Sequence, residues 1–393
     1  MKPLKEGLMV LLLLGSAQAL QNHPTALVLD RIAATPVQYP LRFAFLADSR
    51  PNFNPGDPDA DSIFRIAREQ LNLLNPLFVL HGGDFVLHGE RSEYFHFLTQ
   101  IDSFTTNLLT VRGNHELYAD EGPWMYDSLF GPTDYAFDRG PYRFIVLADC
   151  QQNPASGSFG HYIDYLISEA QLAWLDSLLW DAEIQGKISF VFAHVPPYLP
   201  GHDTTYCLGY ENYYPQPNYE MSHTEEFTNL LAEYRVPVAF FGHQHFYDRH
   251  TYQGVTYLIS GGAGSHLVYP PLSPPPYGCS CYHFLMMTLD SLGHLQVDFY
   301  PIGASAPDPV FSFQMDLVTV QEEARSPEPA GGSVGTLRLL RAGQPVGFPE
   351  AGALFRVNGQ RLQDFRANEL LRLPAGLYFV RTRHHRLRLL VLR

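Results

Sequence analysis

The sequence predicts an α/β core of buried sheets and helices, followed by a small C-terminal β-sandwich. Short apolar runs with strand character alternate with amphipathic helical patterns along most of the chain, which is typical of sheets covered by helices. The stretch "EARSPEPAGGSVG" at residues 323–335 has the composition of a linker. Beyond it, residues 336–393 alternate as the strands of a small sandwich do. We therefore expect a core domain at residues 20–322 and a second domain at residues 336–393.

Length and charge limit the functions that are open to this chain. It has 393 residues, of which 46% are hydrophobic, and a formal net charge of −14. A chain of this length can bury a sizeable core, and its acidic excess argues against binding nucleic acid by general electrostatic attraction. The charge is uneven, because residues 336–393 contain eleven Arg and three acidic residues. This asymmetry supports two separate modules.

The first nineteen residues have the pattern of a signal peptide. Lys2 and Lys5 precede an apolar run at residues 8–14, and residues 16–19 have the small-x-small form of a cleavage site. The run is far shorter than the roughly 20 residues that span a bilayer, and no later segment is long and apolar enough. We expect residues 1–19 to direct export through the periplasm to the cell surface or the medium, with no transmembrane segment.

Seven short apolar runs predict the strands of the core. In chain order they cover residues 41–47, 77–80, 108–111, 143–148, 188–193, 238–241 and 255–259. Three helices are predicted between them from apolar spacing and capping residues. They are residues 63–74, capped by Asp61; 170–180, with a capping box of Ser168 and Gln171; and 224–235, with a capping box of Ser222 and Glu225. Paired strands at 282–289 and 295–300 are expected to close the core.

Polar side chains follow five of the predicted strands directly. They are Asp48, Asp84, Asn114 with His115, His194, and His243 with His245. In open α/β sheets the reactive crevice lies outside the carboxyl ends of the strands, so we expect these side chains at one edge. Two cations about 3.5 to 4 Å apart need a bridging carboxylate and further nitrogen and oxygen donors. The pattern predicts a dinuclear metal centre bridged by Asp84; the alternative interpretation is a chance cluster of loop residues.

Five motifs, "DSR", "GGD", "GNHE", "AH" and "GHQHFYDRH", occur in this order within about residues 41–266. The set resembles the calcineurin-like metallophosphoesterases, and "GNHE" and the last motif are especially similar to purple acid phosphatases. The resemblance implies a four-layer αββα sandwich of two mixed sheets covered by helices. It also implies hydrolysis of phosphate monoesters or diesters, in which a metal-bound hydroxide attacks phosphorus in line.

The resemblance also assigns two ligand sets, which share Asp84. The ligands are, for the first metal, Asp48, Asp84 and His245, and for the second metal, Asp84, Asn114, His194 and His243. His115 would donate a proton to the leaving oxygen. Because these donor types suit iron, manganese and zinc alike, two divalent or trivalent ions of these metals are expected.

Two positions depart from the family pattern. Many family members have Asp-x-His at the first motif, whereas the third residue here is Arg50. The first metal site therefore loses an imidazole, and Arg50 is a candidate for holding the phosphate of the substrate. Purple acid phosphatases place a tyrosine ligand three residues after the bridging Asp, where this chain has Leu87. The rival hypothesis is a non-catalytic surface binding protein on the same scaffold.

The ending "LPAGLYFVRTRHHRLRLLVLR" resembles the C-terminal sorting domains of type IX secretion substrates. Gly376, Tyr378 and Arg381 fit the motif of those domains. The resemblance implies the secretion machinery as a partner of residues 336–393. The alternative is an accessory β-sandwich that packs on the enzyme or binds a surface polymer.

Two further features leave alternatives open. Residues 196–223, rich in Tyr and Pro, are expected to form a lid or substrate wall, or else a small packed loop. Of the four Cys, an oxidising compartment permits a bridge from Cys207 to Cys279 or Cys281, and the sequence does not choose between the possible pairings.

Overall fold

A computed structural model describes most of the core and shorter stretches near the C-terminus. The described residues are 23–52, 57–197, 224–267, 274–317, 337–341, 345–347, 352–356, 361–373, 375–382 and 386–392. The expected signal peptide, the linker and most of the loop at 196–223 lie outside them, as does Cys207. The chain divides into two compact units, Met1–Ile167 with Ile188–Glu322, and Ser168–Lys187 with Glu323–Arg393.

The described helices and strands alternate over the first unit. The α-helices are α1 Thr25–Ala34, α2 Ala60–Leu74, α3 Arg91–Ile101, α4 Gly122–Leu129, α5 Glu169–Ile184 (in the second unit) and α6 Thr224–Glu233, with a 3-10 helix at His115–Leu117. The strands are β1 Leu41–Leu46, β2 Phe78–His81, β3 Asn107–Thr110, β4 Tyr135–Arg139, β5 Tyr142–Val146, β6 Cys150–Gly157, β7 Gly160–Tyr165, β8 Ile188–Phe192, β9 Val238–Phe241, β10 Tyr247–Tyr252, β11 Val255–Ser260, β12 Gly278–Cys279, β13 His283–Leu289, β14 His294–Pro301 and β15 Asp308–Asp316.

Two mixed sheets form the core of the first unit. The first has the order β15-β14-β13-β1-β2-β3, and β1, β2 and β3 run parallel to one another. The second has the order β12-β10-β11-β9-β8-β5-β4, with β11, β9, β8 and β5 parallel. The strands β6 and β7 form a separate hairpin. The predicted α/β fold of mixed sheets and helices is therefore confirmed.

The two sheets share a core of aromatic side chains. Along β1, Phe43 and Phe45 belong to the core between the sheets, whereas Ala44 and Leu46 pack with helix residues, as the two-residue period of a strand requires. The Phe43 ring lies 5.2 Å from the ring of Phe144 in the second sheet. Because burying a large apolar side chain contributes roughly 1.5 to 3 kcal/mol, this core fixes the strands whose ends carry the candidate ligands.

The predicted strands of the core are all present, with ends displaced by at most two residues. The capping box of Ser168 and Gln171 is present at α5, whereas the N-cap of α2 is Asp59 and not Asp61. The helices α1, α3 and α4 and the β6–β7 hairpin were not predicted. Helix α3 begins at a capping box whose N-cap is Glu90, a residue type outside the usual Ser, Thr, Asp and Asn set.

The C-terminal part of the second unit consists of short strands. They are β16 Leu337–Arg341, β17 Pro345–Gly347, β18 Gly352–Arg356, β19 Arg361–Phe365, β20 Leu370–Arg372, β21 Gly376–Thr382 and β22 Arg386–Leu392. Five of them form a sheet in the order β16-β22-β21-β18-β19, and β17 pairs with β20. The strands agree with the β-rich pattern of the sequence, while a closed sandwich stays a prediction.

Two findings bear on cysteine pairing and membranes. Cys279 is joined to Cys281 by a disulfide, whereas Cys207, the partner that the sequence permitted for either of them, lies outside the described residues. Cys150 is a buried free thiol. Among the described residues, none of the helices has the length and apolar character needed to cross a bilayer.

Candidate metal centre and active site

The six predicted ligands lie together at the carboxyl ends of the strands. Asp48 follows β1, Asp84 follows β2, and His243 follows β9, and each has a left-handed backbone with φ of 64°, 58° and 68°. Such a conformation costs of order 1 to 3 kcal/mol for a residue other than glycine. It persists because the core holds the strands in place, and it turns the side chains toward a common point.

The second metal position gathers four polar atoms. His194 Nε2 lies 3.1 Å from Asn114 Oδ1 and 3.3 Å from Asp84 Oδ1, and His243 Nδ1 lies 2.9 Å from Asn114 Oδ1. The other nitrogen of His194 donates to the carbonyl of Gly82 at 2.7 Å, which assigns the lone pair of the neutral ring to Nε2. When His194 is neutral, its Nε2 and the oxygens of Asn114 and Asp84 face one another as lone pairs, so either a proton or a metal cation is needed between them.

The first metal position also contains possible ligand atoms that lie close to one another. His245 Nδ1 donates to the carbonyl of His266 at 2.7 Å, so the lone pair of the neutral ring is on Nε2, 3.5 Å from Asp48 Oδ1. Asp48 Oδ1 is buried and has no hydrogen-bond partner in the described structure. An acceptor left in this state costs about 1 to 3 kcal/mol. Asp48, Asp84 and His245 therefore fit a cation, which would satisfy the orphaned oxygen.

The electrostatics of the cluster also favour a positive charge. Burial lowers the pKa of His194, but the carboxylates of Asp84, Asp48 and Asp149 outweigh it and raise the pKa to about 10. By contrast, burial and the charge on His194 hold the pKa of His243 well below its usual range. The buried carboxylates thus retain a proton on one imidazole at neutral pH, at the place where the ligand set predicts a cation.

His115 and Arg50 flank Asp84, the predicted bridging carboxylate. His115 Nδ1 donates to the carbonyl of Leu87 at 2.6 Å, which leaves Nε2 at 3.8 Å from Asp84 Oδ2. Burial lowers the pKa of His115 to about 3, and the charge of Arg50 adds to this effect. The backbone N–H of Arg50 donates to the carbonyl of Asp84 at 3.0 Å. The structure therefore brings the two predicted catalytic residues next to the predicted metal ligands.

Two glycines allow these close approaches. A Cβ on Gly113 would lie 2.3 Å from Asp84 Oδ1, and one on Gly83, whose φ is +100°, would lie 2.7 Å from His194 Nδ1. Any side chain at either position would displace a predicted ligand.

Two carboxylates that position the ligands were not predicted. Glu116 accepts hydrogen bonds from the backbone N–H groups of Asp84 at 3.0 Å, Phe85 at 2.8 Å and Gly113 at 2.7 Å. Asp149 accepts from the backbone N–H groups of His194 at 3.3 Å and Val195 at 2.7 Å. The sequence did contain a signal for each of them. Glu116 completes the "GNHE" motif, and Asp149 directly follows an apolar run, as several of the predicted ligands do.

Comparison with known proteins identifies the family. Residues 41–247 match the calcineurin-like phosphoesterase family. The chain belongs to this family. The expected phosphoesterase membership is thus confirmed, while the roles of the individual site residues stay predictions.

The relatives are distant. The chain is 23% identical over 229 residues to "Probable inactive purple acid phosphatase 27" of Arabidopsis thaliana, a match that covers 50% of this chain and 36% of that protein. It thus spans about a third of the length of that relative. Among solved structures, it is similar to purple acid phosphatase PPD1 from yellow lupin (Lupinus luteus) seeds, with a TM-score of 0.55, 17% identity, and coverage of 76% and 58% of the two chains.

A second similar structure is GAP50, described as the anchor in the inner membrane complex of Plasmodium. Its TM-score is 0.51 at 14% identity, with coverage of 75% of this chain and 99% of that chain. At such identities the likeness extends to the fold alone. A phosphatase and a protein described as an anchor are thus both similar to this chain, so activity has to be argued from the site itself.

Iron loaded into this phosphoesterase domain is expected to give a colourless protein. A strong visible band would need a tyrosinate ligand, and the position where purple acid phosphatases carry it is Leu87, which contributes its carbonyl to His115. The nearby Tyr118 hydroxyl accepts from Asn114 Nδ2 at 2.9 Å, and burial raises its pKa to about 12. An intense visible absorption band after iron loading would show that one of the tyrosines does bind iron.

Proposed function

We propose that this protein is an exported phosphoesterase that hydrolyses phosphate monoesters or diesters at a dinuclear metal centre. The observation that carries the proposal is the pair of ligand groups that share Asp84. Asp84, His194 and His243 form one group, and Asp48, Asp84 and His245 form the other, each with its ligand atoms within 4.8 Å of one another. A shared carboxylate between two such groups is the arrangement that a pair of cations requires.

The residues of the chain have distinct tasks in this reaction. Two bound cations would activate a water molecule and neutralise the charge on the phosphoryl oxygens. Asp84, which belongs to both ligand groups, would contribute to holding both cations, and Arg50 would attract the phosphate to them. His115, whose Nδ1–H is fixed by the carbonyl of Leu87, presents Nε2 to the site. Because the pKa of the substrate-free ring is lowered to about 3, Nε2 would take up a proton when the negatively charged substrate binds and would pass that proton to the leaving oxygen.

The decisive experiment uses the purified full chain loaded separately with manganese, zinc or iron. Hydrolysis of p-nitrophenyl phosphate is compared with that of bis-p-nitrophenyl phosphate. We expect turnover of at least one ester with at least one metal, and the preferred ester would classify the enzyme as a monoesterase or a diesterase. Absence of turnover with every metal would contradict the proposal.

Replacing His115 with Ala is expected to lower kcat by about 10² to 10⁴-fold, the usual range for loss of a general acid, without loss of metal. The defect should be larger for an alkyl phosphate than for p-nitrophenyl phosphate, because nitrophenolate leaves with little need of a proton. His96→Ala is a matched control, since His96 is exposed and pairs with Asp61 at the surface. Equal defects with both esters would contradict the role of His115 as an acid.

Export is proposed from the leader-like residues 1–19 and the resemblance of residues 336–393 to type IX sorting domains. If this is right, deleting residues 336–393 in a host with that secretion system should retain the protein in the periplasm. Fractionation followed by immunoblotting measures the outcome. Unchanged release of the truncated protein would favour an accessory β-sandwich.

The alternative function is that of a non-catalytic surface binding protein on the same scaffold. Two observations favour considering it: a relative carries the name "Probable inactive purple acid phosphatase 27", and Arg50 stands where many family members have a histidine. Metal analysis separates the two functions. About two equivalents of metal per chain would support the enzyme, whereas a metal-free protein that cannot be loaded would support the scaffold.

A further inference from the structure

The loop after β1 and the loop after β11 are joined by hydrogen bonds beside the first metal position. The backbone N–H of Ser265 donates to the carbonyl of Asp48 at 2.9 Å, and its hydroxyl donates to the carbonyl of Arg50 at 3.2 Å. The backbone N–H of His266 donates to Asn52 Oδ1 at 2.5 Å. These bonds hold Arg50 and His266 on adjoining segments next to a predicted metal ligand.

The imidazole of His266 contains a polar atom that the protein leaves unsatisfied. Its ring lies edge-on to the ring of His245, with centroids 5.0 Å apart, and the carbonyl of His266 accepts the Nδ1–H of His245. His266 Nδ1 is buried and has no hydrogen-bond partner in the described part of the chain. A buried polar atom in this state costs about 1 to 3 kcal/mol, and a ligand that bonds to it would remove that cost.

Arg50 lies on the same side of the centre. It is only 4% exposed, and its backbone N–H donates to the carbonyl of Asp84. Its carbonyl accepts the hydroxyl of Ser265, the residue before His266, and its guanidinium donates to the carbonyl of Pro51 at 3.2 Å. Arg50 and His266 thus lie on hydrogen-bonded segments beside the first metal position.

We propose that His266 and Arg50 form a subsite that binds an oxygen of the phosphate group beside the first metal position. The inference rests on the proposed function only in taking that phosphate to belong to the substrate. In this subsite the guanidinium supplies the positive charge and the imidazole supplies a hydrogen bond. The first metal site has one imidazole fewer than in many family members. By contacting the phosphate directly, Arg50 and His266 would compensate for the weaker attraction of phosphate by that site.

A phosphate oxygen suits this pair better than a third metal ion does. A guanidinium stays charged at all relevant pH values and matches the oxygens of phosphate, whereas it repels a cation. Moreover, the close group of possible ligand atoms on this side contains Asp48, Asp84 and His245, and His266 is not a member of it. His266 therefore adjoins the ligands without belonging to them.

Calorimetric titration of inorganic phosphate into the manganese-loaded full chain tests the subsite without relying on catalysis. We expect His266→Ala and Arg50→Gln each to raise the Kd for phosphate by about tenfold or more, with metal content unchanged in His266→Ala. His266→Gln, which keeps a side-chain N–H, should recover part of the affinity. His294→Ala, at an exposed histidine that pairs with Asp290, should behave as the parent protein. A Kd within twofold of the parent in His266→Ala, or loss of one metal equivalent, would overturn the proposal.

Kinetics give a second readout and separate the two proposals. In an active enzyme, His266→Ala should raise KM for p-nitrophenyl phosphate about tenfold while kcat changes less than threefold, because the residue binds the phosphate and transfers no proton. An unchanged KM would count against the subsite. If the parent protein hydrolyses neither ester yet binds phosphate through His266, the proposed function fails and the subsite stands.

Discussion

Asp84→Asn is expected to abolish the dinuclear centre, because both ligand groups contain this carboxylate. Asn keeps one carbonyl oxygen that can accept the backbone N–H of His115, now 2.9 Å from Asp84 Oδ1, so the fold should persist. An amide lacks the negative charge that stabilises two adjacent cations. We expect metal content to fall from about two equivalents to one or fewer, and kcat/KM to fall by about 10³-fold or more, which is about 4 kcal/mol.

Plasma emission spectroscopy after dialysis measures the metal, and circular dichroism checks the fold. Asp30→Asn on α1 is a suitable control, because Asp30 is exposed and remote from the ligands in sequence. Two tightly bound equivalents in Asp84→Asn would show that the carboxylate is not the bridge.

Glu116→Ala is expected to give the second large effect, this time on stability. The carboxylate satisfies three buried backbone N–H groups at distances of 3.0 Å or less, and each donor left without a partner costs about 1 to 3 kcal/mol. Part of this loss is offset, because burial and the charge of Asp84 make the ionised carboxylate unfavourable in the metal-free protein. We expect a net loss of roughly 3 kcal/mol, measured as a lower midpoint of urea unfolding.

The pH dependence of the free energy of unfolding tests whether Glu116 itself causes the loss of stability. Burial and Asp84 raise the pKa of Glu116 from 4.5 to about 7, so between these pH values this side chain holds more protons in the folded metal-free protein than in the unfolded chain. The contribution of Glu116 to stability should therefore fall as pH rises from about 4.5 to 7, and the difference in stability between the parent protein and Glu116→Gln should change in the same pH range. Glu69→Ala, at an exposed pair with Arg65, should change neither quantity; an equal loss in both alanine variants would contradict the role of Glu116.

Much of the site could be predicted because parallel strands leave little freedom to the residues that follow them. An apolar run of four to seven residues reveals a buried strand, and the next polar side chain must then lie at the edge of the sheet. Asp48, Asp84 and His194 were located in this way. His81, by contrast, lies inside β2 and is buried, and its ring hydrogen-bonds to Ser49 Oγ at 2.9 Å.

The remaining features depend on contacts that a single sequence does not display. Glu116 and Asp149 accept hydrogen bonds from buried backbone N–H groups. In a single sequence, such carboxylates cannot be distinguished from those of exposed Glu and Asp residues. The unsatisfied nitrogen of His266 depends on the approach of two loops that are more than 200 residues apart. Helix α3 was missed for a local reason, since Glu90 replaces the usual N-cap residue types.

The left-handed backbone at Asp48, Asp84 and His243 has a consequence for how the centre assembles. Few conformations are open to an L-residue in that region, so these positions retain little torsional freedom even before a metal arrives. The entropy of ordering them is lost when the chain folds. Metal binding then requires little further ordering of the backbone. The metal-free protein should already hold these ligand residues in their binding positions, and metal binding should offset part of the conformational cost.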